Sequence, residues 1–224
     1  MSNLSSRFTI SALKDQISSI WRIAAAGFVL SLGGAGFTVL VAELTGNPIW
    51  KLAKDPAYVM RFPSYIGMLS NWSVMLWTIA AAICLFGAVI LKQNAVSSDT
   101  VVFIAVSGLL NLVLAVDDLF LLHDWVLPKM FDVPEMFFYL LYALTFLLYL
   151  SFFTFRILKY DYLLFGAGLI LLALSRSLGR IAFFGQFMTT GDMLKYFGIV
   201  FWLAFFYRTV LQEINALIRQ GRQP

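Results

Sequence analysis

Apolar runs, each about as long as a bilayer is thick, follow one another along this sequence with short polar connections between them. They cover Ile23–Glu43, Ile66–Leu91, Val101–Leu122, Pro134–Ile157, Tyr162–Phe184 and, beginning after Asp192, a last run that ends near Leu211. Because a helix needs about 20 mainly apolar residues to cross the hydrocarbon core, the pattern predicts an all-α bundle of about six transmembrane helices. A hydrophobic share of 61% with 12% charged residues excludes an ordinary soluble domain.

The runs divide the chain into a cytoplasmic amphipathic segment at 1–22, a six-span membrane domain at 23–211 and a cytoplasmic tail at 212–224. Basic residues concentrate near the two termini and in the connections on the same side, so the positive-inside rule places both termini in the cytoplasm. Because they form no dense tract or stripe, they predict membrane orientation and argue against a nucleic-acid partner. An integral protein of the bacterial inner membrane, in contact with membrane lipid, is the expectation.

Carboxylates interrupt the third apolar run. Asp117, Asp118 and Asp124 follow Asn111 in the stretch NLVLAVDDLFLLHDWVLP. Each acidic group within a span costs several kcal/mol, roughly 3 by insertion scales, unless it is paired or serves a function. Runs three and five point outward, so Arg176 and Arg180 are expected at a depth similar to that of the aspartates, and Glu43 near the same level. The predicted polar site therefore combines these carboxylates and Asn111 with the two arginines.

Helical geometry separates His123 from this group. On a regular helix Asp117 and Asp124 lie within about 20° of each other, and Asp118 and Asn111 about 100° further around. His123 then points about 170° away, which favours a structural or pH-responsive role over that of a metal ligand or catalytic base. Unwinding of the helix before Pro128 would change that geometry. Since His123 is the only histidine and Cys84 the only cysteine, a zinc cluster of these residues is excluded.

Several functions fit this site. Surplus acid opposite paired arginines favours cation or proton translocation by a transporter or channel-like protein. A second hypothesis is an enzyme acting on a lipid or isoprenoid headgroup, with a divalent cation at Asp117, Asp118 and Asp124 and a phosphate at Arg176 and Arg180. A third is a non-catalytic subunit or sensor that assembles with itself or with a larger membrane complex. A buried ion-pair network that only fixes helix register is the structural alternative.

Four sequence pieces are similar to those of an uncharacterised family of small bacterial multi-pass membrane proteins. They are the SN and LW pairs at Ser70, Asn71, Leu76 and Trp77, the AAICLF run at 81–86, DDLFLLHD at 117–124, where the family is expected to have DDLFLLHE, and the KYFGIV start of the last run at 195–200. The pieces occur in the same order over most of the chain. The resemblance implies a multi-pass architecture and carries no established activity.

Overall fold

The computed structural model describes residues 10–180 and 188–220, and over these ranges the chain is helical, with no strand. Its helices are α1 Ile10–Thr45, α2 Ile49–Leu52, α3 Pro56–Met60, α4 Met68–Gln93, α5 Ser98–Phe120, α6 Leu127–Phe131, α7 Glu135–Ile157, α8 Tyr162–Arg180 and α9 Met188–Gln220. A π-helical turn, Leu122–Val126, joins α5 to α6. The predicted all-α class is confirmed.

Among the described residues, five helices are long and apolar enough to cross a membrane. They are Lys14–Thr45 of α1, all of α4, α5 and α7, and Gly191–Gln220 of α9. Helix α8 holds a shorter apolar stretch, Tyr162–Ser177, and the fifth predicted span continues beyond it into residues 181–187, outside the described ranges. These are the features of a multi-pass integral membrane protein.

The chain forms two compact units, residues 1–66 and 67–224. In the first, α1 passes without a break through the predicted border between the amphipathic segment and the first span, and the short helices α2 and α3 follow it. In the second, α9 likewise runs through the predicted start of the tail at 212. The assignment of 1–22 and 212–224 to the cytoplasm stays a prediction.

The second unit is built around α9 and its aromatic side chains. Helix α4 packs against α5 and α9, and α8 packs against α9. Trp202 stacks on Phe165 at a centroid distance of 4.9 Å and meets Trp77 edge-on at 5.7 Å. Helices α8 and α9 approach most closely at Gly168 and Gly198, where a Cβ on Gly168 would lie 3.1 Å from the Gly198 carbonyl oxygen. Small residues are what allow two helix backbones to come this close within lipid.

The link between α5 and α7 determines where the polar residues of the third run lie. Leu121 takes a left-handed conformation (φ 51°) and ends α5, and Asp132 (φ 53°) ends α6 in the same way. Pro134 is the N-cap of α7, where a proline is tolerated because N–H groups at a helix start have no intrahelical acceptor. The end of α5 and the start of α7 therefore meet at one end of the unit.

Candidate functional site

Asp117 lies in the last turn of α5 and is only 4% exposed. Its Oδ1 accepts hydrogen bonds from the backbone N–H of His123 at 3.0 Å and from the Tyr142 hydroxyl at 2.7 Å. Its Oδ2 contacts Nδ1 of the His123 ring. A buried carboxylate is stable only when such donors replace water, and here the π-helical turn and α7 supply them.

The prediction that His123 points away from the aspartates, which assumed a regular helix, is wrong. Because Leu121 ends α5 and the next residues form a π-helical turn, the chain folds back and brings His123 under Asp117. This is the unwinding before Pro128 that would change the geometry. The ring Nε2 lies 3.2 Å from Oδ1 of Asp124, and the ring meets Tyr139 and Tyr142 edge-on at 4.9 and 5.4 Å.

Both ring nitrogens of His123 thus face carboxylate oxygens. A neutral imidazole has one donor and one acceptor nitrogen, whereas the doubly protonated ring donates on both sides and suits two carboxylates. The Tyr139 hydroxyl donates to Asp124, as Tyr142 does to Asp117. We call the series Tyr142, Asp117, His123, Asp124 and Tyr139 the carboxylate–imidazole relay.

Asp118 has a partner that the sequence analysis did not include in the site. Lys195, near the start of α9, donates to its Oδ1. The other oxygen, Oδ2, is buried and has no hydrogen-bond partner among the described residues. A lone lysine just inside an apolar run was the available signal, because a cation at that depth requires a counter-charge.

Arg176 lies beside the relay but does not pair with the aspartates of the third run as expected. It donates to Glu135 at 2.6 Å, and its guanidinium lies 3.6 Å from the centroid of the Tyr139 ring. Glu135 at the first turn of α7 is the nearer anion, so the expected pairing of Arg176 with the aspartates is not found. The side chain of Arg180 lies outside the described residues.

An open cleft of about 510 Å³ exposes one side of the relay. Its lining comprises His123, Asp124, Tyr139, Leu172, Ser175, Arg176, Gly191, Asp192 and Lys195. Asp117 is absent from that lining and is buried, whereas the Asp124 side chain is 42% exposed. The relay therefore connects a solvent-accessible carboxylate to a buried one through a single imidazole.

Two other predicted site residues are not members of the relay. Asn111 is fully buried in the core of the second unit, where it accepts a hydrogen bond from Trp202 Nε1 at 2.8 Å and donates to the Ser107 carbonyl at 2.7 Å. Glu43 is exposed near the end of α1 in the first unit. Neither residue is among the five that form the relay.

The Asn111–Trp202 pair gives a first prediction. Trp202→Phe keeps an aromatic ring but leaves the buried Asn111 Oδ1 without its donor, which costs about 1–3 kcal/mol. We expect a lower thermal unfolding temperature in detergent, measured by circular dichroism. Trp72→Phe, at an exposed position, is the control and should unfold like the wild type. Equal unfolding temperatures for all three proteins would contradict a stabilising role for this hydrogen bond.

A second polar layer occupies the opposite end of the unit. Arg156 pairs with Asp99 at 2.5 Å, and the Tyr160 hydroxyl donates to Glu213 at 2.6 Å. Arg208 donates to Asp161 at 2.6 Å and holds the pKa of that carboxyl below its usual range. The second unit thus carries charged networks at both ends with an aromatic core between them.

The geometry does not favour the divalent-cation hypothesis. Across residues 10–180 and 188–220, no group of three or more His, Cys, Asp and Glu side chains is arranged to hold a metal ion. Asp117, Asp118 and Asp124 are turned toward different donors, namely His123 with Tyr142, Lys195, and Tyr139. His123 has both ring nitrogens engaged, which leaves it no free lone pair for a metal.

Comparison with known proteins gives one family. The family described as "Domain of unknown function (DUF8692)" matches residues 20–209. The chain belongs to this family. No curated protein and no solved structure matches it. The matched range of this DUF8692 protein includes the whole relay together with Lys195 and Arg176, and the family's description assigns them no role.

Proposed function

We propose that this protein translocates protons across the bacterial inner membrane, through a six-span bundle with both termini in the cytoplasm. The observation that carries the proposal is His123 held between Asp117 and Asp124, with a tyrosine hydroxyl on each carboxylate. Ionisable groups placed within a bundle and paired with one another are the usual components of proton relays. Assembly with copies of itself or with a larger membrane complex stays a prediction.

The contacts of the carboxylates favour protons over metal cations as the transported species. Asp117 accepts hydrogen bonds at both of its oxygens, and a metal ion would have to displace those donors before this carboxylate could bind it. A proton needs no such displacement, because it moves along hydrogen bonds that already exist. His123 accepts a proton at one nitrogen and releases one at the other, which suits transfer between two carboxylates.

The charge balance of the cluster supports the same conclusion. The carboxylates of Asp117, Asp118, Asp124 and Glu135, with Asp192 on the same cleft, outnumber the basic side chains His123, Arg176 and Lys195. A site with more carboxylates than basic groups has acceptors to which a proton can be passed.

Buried polar side chains along α5 suggest the route. Thr100, Ser107, Asn111 and Asp117 are all buried, and at 1.5 Å per residue the first and last are about 26 Å apart, close to the thickness of the hydrocarbon core. Thr100 lies next to Arg156 at the opposite polar layer. In the middle, the Asn111–Trp202 hydrogen bond closes the route, so translocation requires this contact to open and admit water.

Proton flux measured in liposomes tests the proposal. Purified protein is reconstituted with a pH-sensitive dye inside the vesicles, and an imposed pH gradient drives the flux. We expect His123→Gln to reduce it by about 100-fold or more, the usual contribution of a proton-transferring side chain, since glutamine donates hydrogen bonds but does not exchange protons near neutral pH. Asp161→Asn, which removes the exposed ion pair with Arg208, is the control and should retain wild-type flux.

Two results would contradict the proposal. If His123→Gln folds normally and carries the same flux as the wild type, His123 does not transfer the proton. If the wild-type protein itself gives no more flux than empty vesicles over a range of pH gradients, proton translocation is rejected altogether.

A further inference from the structure

The connection that follows α1 folds into a small basic and aromatic pocket. Helices α2 and α3 lie in this connection, and between them is a cavity of about 560 Å³. Its lining comprises Trp50, Lys54, Ala57, Tyr58, Val59, Arg61 and Phe62. This volume lies within the range of small-ligand sites, about 300–1,000 Å³.

Lys54 is held between two aromatic rings of this pocket. Its Nζ lies 4.5 Å from the centroid of Tyr58 and 5.8 Å from that of Trp50, and Lys51 Nζ lies 5.9 Å from the Trp50 centroid. Such cation–π contacts position an ammonium group without neutralising it. The Lys54 ammonium group therefore stays available to a further partner.

The acidic residue of the segment does not supply that partner. Asp55 is the N-cap of α3, and its Oδ1 accepts from the backbone N–H groups of Ala57 at 2.8 Å and Tyr58 at 3.3 Å. In the part of the chain that the structure describes, no ion pair is formed by Lys51, Lys54 or Arg61. The pocket thus presents unpaired cations, which attract an anion.

The position of the pocket in the chain identifies the class of anion. Residues 14–45 form a helix apolar enough to cross the bilayer, so the segment that begins directly after it lies at the level of the lipid headgroups. The Trp50 and Tyr58 side chains of the pocket and the adjacent Tyr65 are exposed, and these amphipathic aromatics are enriched at that level. Phospholipid headgroups at that level carry a phosphate, and in an anionic phospholipid no cationic group of the same headgroup balances it.

We infer that this pocket binds the headgroup phosphate of an anionic phospholipid. Lys54 and Arg61 contact the phosphate, and Trp50 and Tyr58 form the walls on which the glycerol part of the headgroup packs. Each cation near a membrane surface strengthens anionic-lipid binding by about fivefold, so the two together contribute about 30-fold. This inference does not depend on proton translocation.

Lipid titration of the full-length protein tests the inference. Delipidated protein in a neutral detergent is titrated with phosphatidylglycerol or phosphatidylcholine, and bound lipid is counted by native mass spectrometry. We expect the wild type to bind phosphatidylglycerol preferentially and the double variant Lys54→Gln/Arg61→Gln to bind it about 30-fold more weakly. The conservative variant Lys54→Arg should bind like the wild type, because it keeps the charge and the cation–π contacts.

A matched control distinguishes this pocket from any lysine beside a tryptophan. Lys129 lies 5.1 Å from the Trp125 ring centroid in the second unit, and Lys129→Gln should leave phosphatidylglycerol binding unchanged. The inference is overturned if the double variant binds phosphatidylglycerol as the wild type does, or if the wild type binds phosphatidylcholine equally well. It is also overturned if the wild type binds inorganic phosphate more tightly than the double variant does, while phosphatidylglycerol binds both proteins equally, because the pocket would then take free phosphate and not the lipid.

Discussion

We expect Asp117→Asn to abolish proton flux and to destabilise the protein at the same time. Asp117 accepts from three donors, the backbone N–H and ring of His123 and the Tyr142 hydroxyl. Asparagine offers one acceptor oxygen, and its amide group repels the remaining donor. Removing one partner of a buried ionic contact costs about 3–5 kcal/mol, which appears as a lower thermal unfolding temperature by circular dichroism, alongside the liposome flux assay.

Asp124→Asn separates the two effects. The Asp124 side chain is 42% exposed and faces the cleft, and a solvent-exposed ionic contact contributes only about 0–1 kcal/mol. This variant should therefore unfold nearly as the wild type does while losing flux as completely as Asp117→Asn. Wild-type flux in Asp124→Asn would exclude a continuous relay, and would leave Asp117 with a purely structural role.

The second large effect is expected from Gly168→Leu. A side chain at this position has no space, because a Cβ would lie 3.1 Å from the Gly198 carbonyl oxygen and 3.2 Å from the Trp202 backbone nitrogen. Overpacking of this kind costs about 1–3 kcal/mol, and more when backbone must move. Helix α8 should separate from α9, which lowers the unfolding temperature and reduces the yield of monodisperse protein in size-exclusion chromatography.

Gly166→Leu is the matched control on the same helix. A Cβ at Gly166 meets no other atom within 4 Å, and a helix is more stable with leucine than with glycine by up to about 1 kcal/mol. We expect an unchanged or slightly raised unfolding temperature. If Gly168→Leu were as stable as Gly166→Leu, close packing of α8 on α9 would not be a source of stability.

Sequence pattern predicts the helices of this chain well, because hydropathy over 20 residues averages out local detail. The second, third and fourth runs end within a few residues of α4, α5 and α7. The fourth run is predicted to begin at Pro134, which is the N-cap of α7 and precedes its first residue by one. The fifth run begins with α8 at Tyr162, and its predicted end at Phe184 lies outside the described residues.

The site was harder to predict because it depends on one backbone conformation. Leu121 adopts a left-handed φ of 51°, although no glycine or asparagine marks that position. Because α5 ends at this residue, His123 contacts Asp117 and does not lie on the far side of α5, as a regular helix predicts. Periodicity assumes an unbroken helix and therefore placed the ring on the wrong side.

Pairing between helices is the other feature that sequence does not determine. Depth in the bilayer places Arg176 near several carboxylates but does not say which one is closest, and Glu135 of α7 is the partner. Lys195 near the start of α9 contacts Asp118, although the sequence analysis did not predict it as a site residue. Such choices depend on helix rotation, which is set by packing at residues such as Gly168 and Trp202.

Helix α7 carries an unusual share of the site. Among the described residues it approaches the backbone of α5 at few points, and its contacts are made mainly by long side chains. Tyr142, Tyr139 and Glu135 all belong to it, and they hold Asp117, Asp124 and Arg176 respectively. A rigid displacement of this one helix by the length of a hydrogen bond would break all three contacts together. Both ends of the relay therefore depend on the position of α7.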